Sequence, residues 1–242
     1  MKEKIALVTG ANRGIGLETA RQLAQKGALV LLGCRDRQRG EDAAGGLERE
    51  GLKAEALELD VAREGSVIAA ADEVARRYGR LDVLVNNAGI AIGGRSSPSA
   101  QPLSVWRETF ETNLFGMIAV TQAFLPLLRR SDAGRIVNLS SILGSIALHQ
   151  TPGSPIHGLV DMPAYNVSKS AVNAWTAQLA LELRGTPIKV NAAHPGYVKT
   201  DMNRGAGVLE VAEGARTGVA LALLGPDGPT GAFVHMGERL PW

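Results

Sequence analysis

The chain has 242 residues, with 26 Lys and Arg against 24 Asp and Glu, and a single cysteine. One cysteine cannot close an internal disulfide, and a net charge of +2 with 4% aromatic residues offers neither the basic face nor the stacking platform of a nucleic-acid binder. The run Ile5–Val8 is too short for a signal-peptide core, and Met117–Leu128, interrupted by Thr121, Gln122 and Pro126, is too short to span a bilayer, so a cytoplasmic protein with no membrane or nucleic-acid partner is expected.

In chain order, short apolar runs at 5–9, 28–33, 54–59, 83–86, 135–140, 189–193 and 231–235 alternate with helical patterns near 14–26, 38–50, 64–78, 103–129, 163–184 and 210–223. The runs are nearly continuous rather than alternating, as in strands buried on both faces. The order predicts a single doubly wound α/β domain over 1–242, with a mostly parallel seven-stranded sheet and helices on both faces. Polar or Gly/Pro-rich stretches at about 91–102, 144–163 and 202–210 read as loops at the substrate end. In such sheets ligands bind beyond the carboxyl ends of the strands.

The first strand runs into Thr9-Gly10-Ala11-Asn12-Arg13-Gly14-Ile15-Gly16. Gly10, Gly14 and Gly16 permit a tight turn and close approach, and the following helix start offers N–H groups to a phosphate. The second strand ends Gly33-Cys34-Arg35-Asp36. Neutral Cys34 stands about where NAD sites carry a ribose-binding acid, while Arg35 and Arg13 suit a 2′-phosphate. NADP(H) is therefore the expected cofactor, with Asp36, one position late, as the argument for NAD(H). Cys34 reads as a packing residue.

Taken with Asp60-Val61, Asn86-Asn87-Ala88-Gly89, Asn113, Ser140-Ser141, Tyr165-x-x-x-Lys169 and Pro195-Gly196-Tyr197-Val198-Lys199-Thr200-Asp201-Met202, these motifs resemble the short-chain dehydrogenase/reductase family along almost the whole chain. The Gly-Cys-Arg-Asp strand end, the Gly-Tyr-Val-Lys-Thr-Asp-Met segment and the tail Gly-Pro-Thr-Gly-Ala-Phe…Pro-Trp are most similar to NADPH-dependent carbonyl reductases. The resemblance implies a Rossmann fold and a cofactor cradle of Gly10, Asn12, Arg13, Gly14, Ile15, Gly16, Arg35, Asp60, Val61, Asn87, Ala88, Gly89, Pro195, Gly196, Val198 and Thr200, joined by Tyr165 and Lys169. Within it Asp60 and the Val61 N–H would meet adenine. Pro195-Gly196 would flank nicotinamide, and Val198 and Thr200 its carboxamide and the phosphates. The family's oligomers imply a homodimer or homotetramer, and the segment 145–162 leaves a monomer open.

The chemistry follows from the side chains. Hydride addition to a carbonyl leaves an alkoxide that needs a proton, and Tyr165 can supply it, although a free phenol has a pKa of about 10. Lys169, four residues on, shares its helix face and is expected to lower that value. By resemblance it also holds the nicotinamide ribose. Ser141 would polarise the carbonyl; Ser140 is the neighbouring alternative, and the family pattern selects the second serine. Asn113 reads either as a tolerated helix Asn or, by resemblance, as the anchor of a water relay to Lys169.

The expected reaction is reversible reduction of a small, mostly apolar aldehyde, ketone or quinone. The alternatives are an NADP(H) sensor without turnover and a C=C reductase on the same scaffold. Four histidines, at 149, 157, 194 and 235, lack metal-ligand spacing, so no metal is expected. His149 and His157 read as exposed loop residues or as substrate contacts. Ser141 and Tyr165 lie 24 residues apart, more than is typical of the family, and the extra segment of about 145–162 should border the substrate.

Overall fold

The computed structural model describes residues 3–242. Five strands, β1 (Ile5–Thr9), β2 (Leu29–Cys34), β3 (Ala54–Glu58), β4 (Val83–Asn86) and β5 (Arg135–Leu139), are joined by β6 (Lys189–Ala193), β7 (Phe233–His235) and β8 (Glu238–Arg239). The helices are α1 (Gly14–Gln25), α2 (Arg37–Arg49), α3 (Glu64–Tyr78), α4 (Leu103–Phe110), α5 (Gly116–Leu128), α6 (Ile146–Gln150), α7 (Pro163–Glu182) and α8 (Val211–Ala222). The sheet order is β3-β2-β1-β4-β5-β6-β7-β8. Every pairing is parallel except that of β7 with β8.

This is the expected doubly wound Rossmann-type sheet, with one correction: it has eight strands rather than seven. The added β8 spans two exposed residues, Glu238 and Arg239, and a pair that short and polar leaves no hydrophobic run to read. The continuous apolar strands have the cause inferred for them. β1, β4 and β5 are buried throughout. One core lies under α1, α2 and α8, built from residues such as Leu23, Leu47 and Val219, and the other lies under α3, α5 and α7, built from Val74, Phe124 and Leu179.

Two further expectations change in detail. The pattern at 103–129 is not one helix: a π-helical turn, Glu111–Phe115, separates α4 from α5 and contains Asn113. Such turns insert an extra residue into the ladder and re-aim the side chains around it. The stretch 144–163 is not all loop, since α6 lies inside it, started by the Ser145 hydroxyl accepting the Leu148 N–H at 3.2 Å. The chain then folds back on this segment: the Ser145 hydroxyl donates to the Pro241 carbonyl at 2.7 Å, and the Ala147 N–H to the Trp242 carbonyl at 3.0 Å.

Strand order reverses between β1 and β4, so their carboxyl ends diverge and open a crevice. The glycine-rich turn after β1, the Asn87–Gly89 turn after β4, the two serines after β5 and the Pro195-Gly196 turn after β6 all leave the sheet on this side.

Candidate active site

Tyr165 lies in the first turn of α7, which begins at Pro163. Met162 just before it has a positive φ of 55°, a strained value for a residue with a side chain, at the junction with the 145–162 segment. Lys169 follows one turn later on the same face of α7. The residue is 5% exposed, and its ammonium donates to the Leu139 carbonyl at 2.7 Å and stands 5.6 Å from the centroid of the Tyr165 ring. Burial pushes it down to about 8.

Burial also raises the Tyr165 phenol above its ordinary value, and a side-chain hydrogen bond with Ser141 opposes that rise. The expected lowering of Tyr165 by Lys169 is not found: burial raises the phenol, and Ser141 is the group that favours the ionised form. The phenol therefore keeps its proton at neutral pH, the state a proton donor requires.

The two serines separate cleanly. The Ser140 hydroxyl turns into the protein and donates to Asn173 Oδ1 at 2.6 Å. Ser141, extended with φ −151°, caps the short 3-10 turn Ile142–Gly144 by accepting the Leu143 N–H at 3.2 Å and meets Tyr165. Asn113 Oδ1 accepts the Ile90 N–H at 2.8 Å, and its amide donates to the Ile90 carbonyl at 2.9 Å and to Ser168 Oγ at 3.0 Å. Its side chain thus ties the π-turn to the strand β4 exit and to α7. It is not a loosely tolerated helix residue.

On the crevice side, Gly10 and Gly14 have positive φ of 64° and 56°. A Cβ at Gly16 would come within 2.5 Å of the Asn87 amide nitrogen and of the Gly10 carbonyl. Asn87 explains this crowding: its amide donates to the carbonyls of Thr9, at 2.8 Å, and Gly10, at 3.2 Å. The N–H groups of Asn87 and Ala88 both reach the Thr9 hydroxyl at 3.0 Å. Asn12 and Ile15 are half-buried beside this turn. Arg13 precedes α1 without capping it, so the N–H groups of Gly14, Ile15 and Gly16 have no side-chain partner at the helix start. These glycines, open N–H groups and the positive end of α1 fit a dinucleotide diphosphate. Gly89 borders Asn113 and Lys169; a Cβ there would stand 3.7 Å from Nζ.

The short chain dehydrogenase family model matches residues 4–207. The chain belongs to this family. Mouse carbonyl reductase [NADPH] 1 is 36% identical over 276 residues, covering 98% of each chain, and (+)-neomenthol dehydrogenase of Arabidopsis thaliana is 36% identical over 283 residues, covering 95% of each. The NADPH-bound carbonyl reductase from chicken fatty liver superposes with a TM-score of 0.87 at 30% identity over the full length of both chains. Short-chain dehydrogenases are oxidoreductases that use nicotinamide cofactors, so the crevice has a defined ligand class. Among the described residues no helix is long and apolar enough to cross a membrane, and no cluster of three His, Cys, Asp or Glu side chains could hold a metal.

The structure locates the remaining expected residues in this short-chain dehydrogenase as follows. Asp60 Oδ1 accepts the Ala62 N–H at 3.1 Å, which shapes the turn carrying Val61. Arg35 is exposed at the end of β2. Asp36 is consumed locally: it caps α2 through the Arg39 N–H at 3.1 Å and pairs with the Arg39 guanidinium at 3.2 Å. Arg13 is not free, since its guanidinium reaches Asp201 at 2.8 Å across the crevice, both side chains exposed. Cys34 packs under Gly40, where any Cβ would collide with its sulfur. The Val198 side chain is buried against Gly214 of α8, and Gly207 packs on its backbone. Asn203 braces that strand end, donating to the Val198 carbonyl at 2.8 Å and accepting the Thr200 N–H at 3.1 Å. His149 is half-buried and bonds the Leu143 carbonyl at 2.9 Å, so it braces the segment rather than standing as an exposed loop residue; His157, exposed, reaches the His149 carbonyl at 3.2 Å.

Two residues escaped the sequence reading, Gly144 and Asn173, and a third, Asn86 of the Asn86-Asn87-Ala88-Gly89 motif, has a different role from the turn expected of it. Gly144 is a contact glycine: a Cβ would lie 2.6 Å from the Lys169 carbonyl carbon, so the Ser141 turn sits directly on α7. Asn173, one turn beyond Lys169, accepts from Ser140 and donates to the Gly144 carbonyl at 3.3 Å. Asn86 is buried and donates to Thr121 at 3.0 Å and Asn138 at 2.9 Å, so it shapes the sheet rather than a turn. Its place at i+4 from the lysine and i+8 from the tyrosine, on the same helix face, was the available signal for Asn173.

Proposed function

We propose that the chain reduces aldehyde, ketone or quinone carbonyls to alcohols with NADPH. The observation that carries this reading is the meeting of Ser141 and Tyr165 beside the buried ammonium of Lys169. When bound, NADPH would supply the hydride. Ser141 would hold and polarise the carbonyl oxygen, and Tyr165, kept protonated by its burial, would give its proton to the nascent alkoxide. Lys169 would replenish positive charge beside the phenolate so formed, fixed in place by the Leu139 carbonyl.

The engagement of Asp36 by Arg39 supports NADPH over NADH, since it leaves Arg35, and Arg13 once released from Asp201, as the side chains that would receive a 2′-phosphate. That the mouse relative is named an NADPH carbonyl reductase, and that the chicken structure holds NADPH, agree with this. An apolar substrate is supported by exposed Ile146, Leu159, Val160, Met202 and Val208 on the segment 145–162 and the turns after β6.

The test follows NADPH consumption against aldehydes, diketones, quinones and cyclic ketones, with NADH in parallel and Tyr165→Phe as control. Turnover with NADPH that vanishes in the variant is the expected result. Tight NADPH binding without turnover on any compound would replace this reading by that of a sensor.

A further inference from the structure

We propose that His194, which no part of the reaction scheme uses, is a positioning residue that fixes the catalytic serine turn against the nicotinamide-side turn. This inference rests on the carbonyl-reductase reading for its consequence in catalysis, though not for its geometry. His194 follows the last residue of β6, 8% exposed. Its Nδ1 lies 3.2 Å from the N–H of Ile142 and 3.3 Å from the N–H of Gly196. Ile142 is the neighbour of Ser141, and Gly196, with φ +90°, is the pivot of the turn expected to flank nicotinamide. One ring nitrogen thus holds the end of β5 to the exit of β6. The two lengths are at the long end of the usual range, as expected where one lone pair is shared.

The arrangement fixes the tautomer. A backbone N–H can only donate, so Nδ1 of His194 must carry a lone pair, and the ring proton sits on Nε2. His235 of β7 completes the tie: its Nδ1 lies 2.9 Å from the His194 carbonyl, which can only accept, and the two rings are 4.7 Å apart between centroids. Burial and the nearby His235 push His194 down to about 3, in keeping with a ring that stays neutral. The turns after β5 and β6 are therefore joined at the His194 imidazole, and β7 is joined to the same residue through its carbonyl. If that imidazole is lost, the serine turn and the Gly196 turn have no direct side-chain link of this kind, and the separation of hydride donor from carbonyl is no longer held.

The two amides closest in size to imidazole separate positioning from packing. Asn presents Oδ1 where His has Nδ1, whereas Gln carries its oxygen one bond farther out. For His194→Gln we expect a fall in kcat of about 100-fold with little change in NADPH affinity, the cost typical of an ångström-scale misplacement. His194→Asn should stay within about threefold of wild type, since it keeps the acceptor for both donors. A second readout is independent of turnover: long-range proton–nitrogen spectra should show Nδ1 of His194 unprotonated at neutral pH. The amide signals of Ile142 and Gly196 should shift together in the Gln variant and remain near their wild-type positions in the Asn variant. A protonated Nδ1, or equal kcat in the two variants, overturns the proposal. Inactivity of the wild type on every carbonyl would refute the proposed function instead, and the spectra would still decide whether His194 holds the two turns.

Discussion

The ammonium of Lys169 donates to the carbonyl of Leu139 at 2.7 Å, and through this one bond the middle of α7 is tied to the last residue of β5. Ser141 is two residues beyond that carbonyl and Tyr165 one helical turn before that ammonium. The tie is what brings a strand-end hydroxyl and a helix-borne phenol together.

Replacement of Lys169 by Met should separate its roles in activity and in stability. Its pKa falls from 10.5 in an unfolded chain to about 8 in the fold, so between these values the unfolded state binds the extra proton. The group's contribution is then fully present above 10.5 and lost as pH falls through 8, a swing of about 3 kcal/mol. In denaturant titrations, wild type minus Lys169→Met stability should rise over this window, and carbonyl turnover by the variant should be nearly abolished. In the wild type, kcat/KM for reduction should decline as pH passes about 8, because that ratio reports ionisations of the free enzyme.

Tyr165→Phe removes the proton donor but little of the packing. Loss of kcat by about 10²–10⁴-fold is expected, with NADPH affinity, read by fluorescence titration, close to wild type.

Arg13 and Asp201 form an exposed pair spanning the crevice, so a 2′-phosphate would have to compete with a carboxylate for the guanidinium. Asp201→Asn should therefore lower KM for NADPH severalfold and leave KM for NADH unchanged. Arg35→Ala should raise KM for NADPH by about tenfold, the size of one charge-assisted hydrogen bond, again without effect on NADH. Initial-rate kinetics with both cofactors read each outcome.

His194 makes a prediction about acid stability. Between pH 6.5 and about 3 the unfolded chain takes up a proton that the folded ring refuses, so stability attributable to this residue is complete above 6.5 and lost as pH falls. Urea midpoints compared between wild type and His194→Asn should diverge below pH 6.5 and be parallel above it.

Gly144→Ala would place a methyl group against the backbone of Lys169, 2.6 Å from its carbonyl carbon. The Ser141 turn must then lift from α7. We expect a destabilisation of about 1–3 kcal/mol with a disproportionate loss of kcat over KM.

The fold was legible because strands buried on both faces leave uninterrupted apolar runs, and β1, β4 and β6 begin and end where those runs do. The glycine turn and Ser141 drew notice because they stand just beyond a strand, and Tyr165 and Lys169 because they are four apart on one helix face, whereas Asn113 was singled out only by the family resemblance. What stayed hidden was decided by contacts distant in sequence. Nothing near Gly144 reveals that Lys169 will pack on it, and nothing near Arg13 reveals an Asp 188 residues away. β8 was missed for the opposite reason: two polar residues pair with β7 through their backbone, and backbone pairing leaves no mark on side-chain pattern.

Asn86 and Asn138 are direct partners across β4 and β5, both buried, joined amide to amide, with Thr121 on one side and Thr176 on the other. This polar rung works as an index mark for the sheet. Slippage of either strand by one residue would turn its asparagine to the opposite face, where the core beneath α1 and α8 offers aliphatic side chains in place of the threonine hydroxyls. The two strands are thereby clocked to each other, and the turns that leave them, one bearing Gly89 and the other Ser141, emerge at the same height above the sheet.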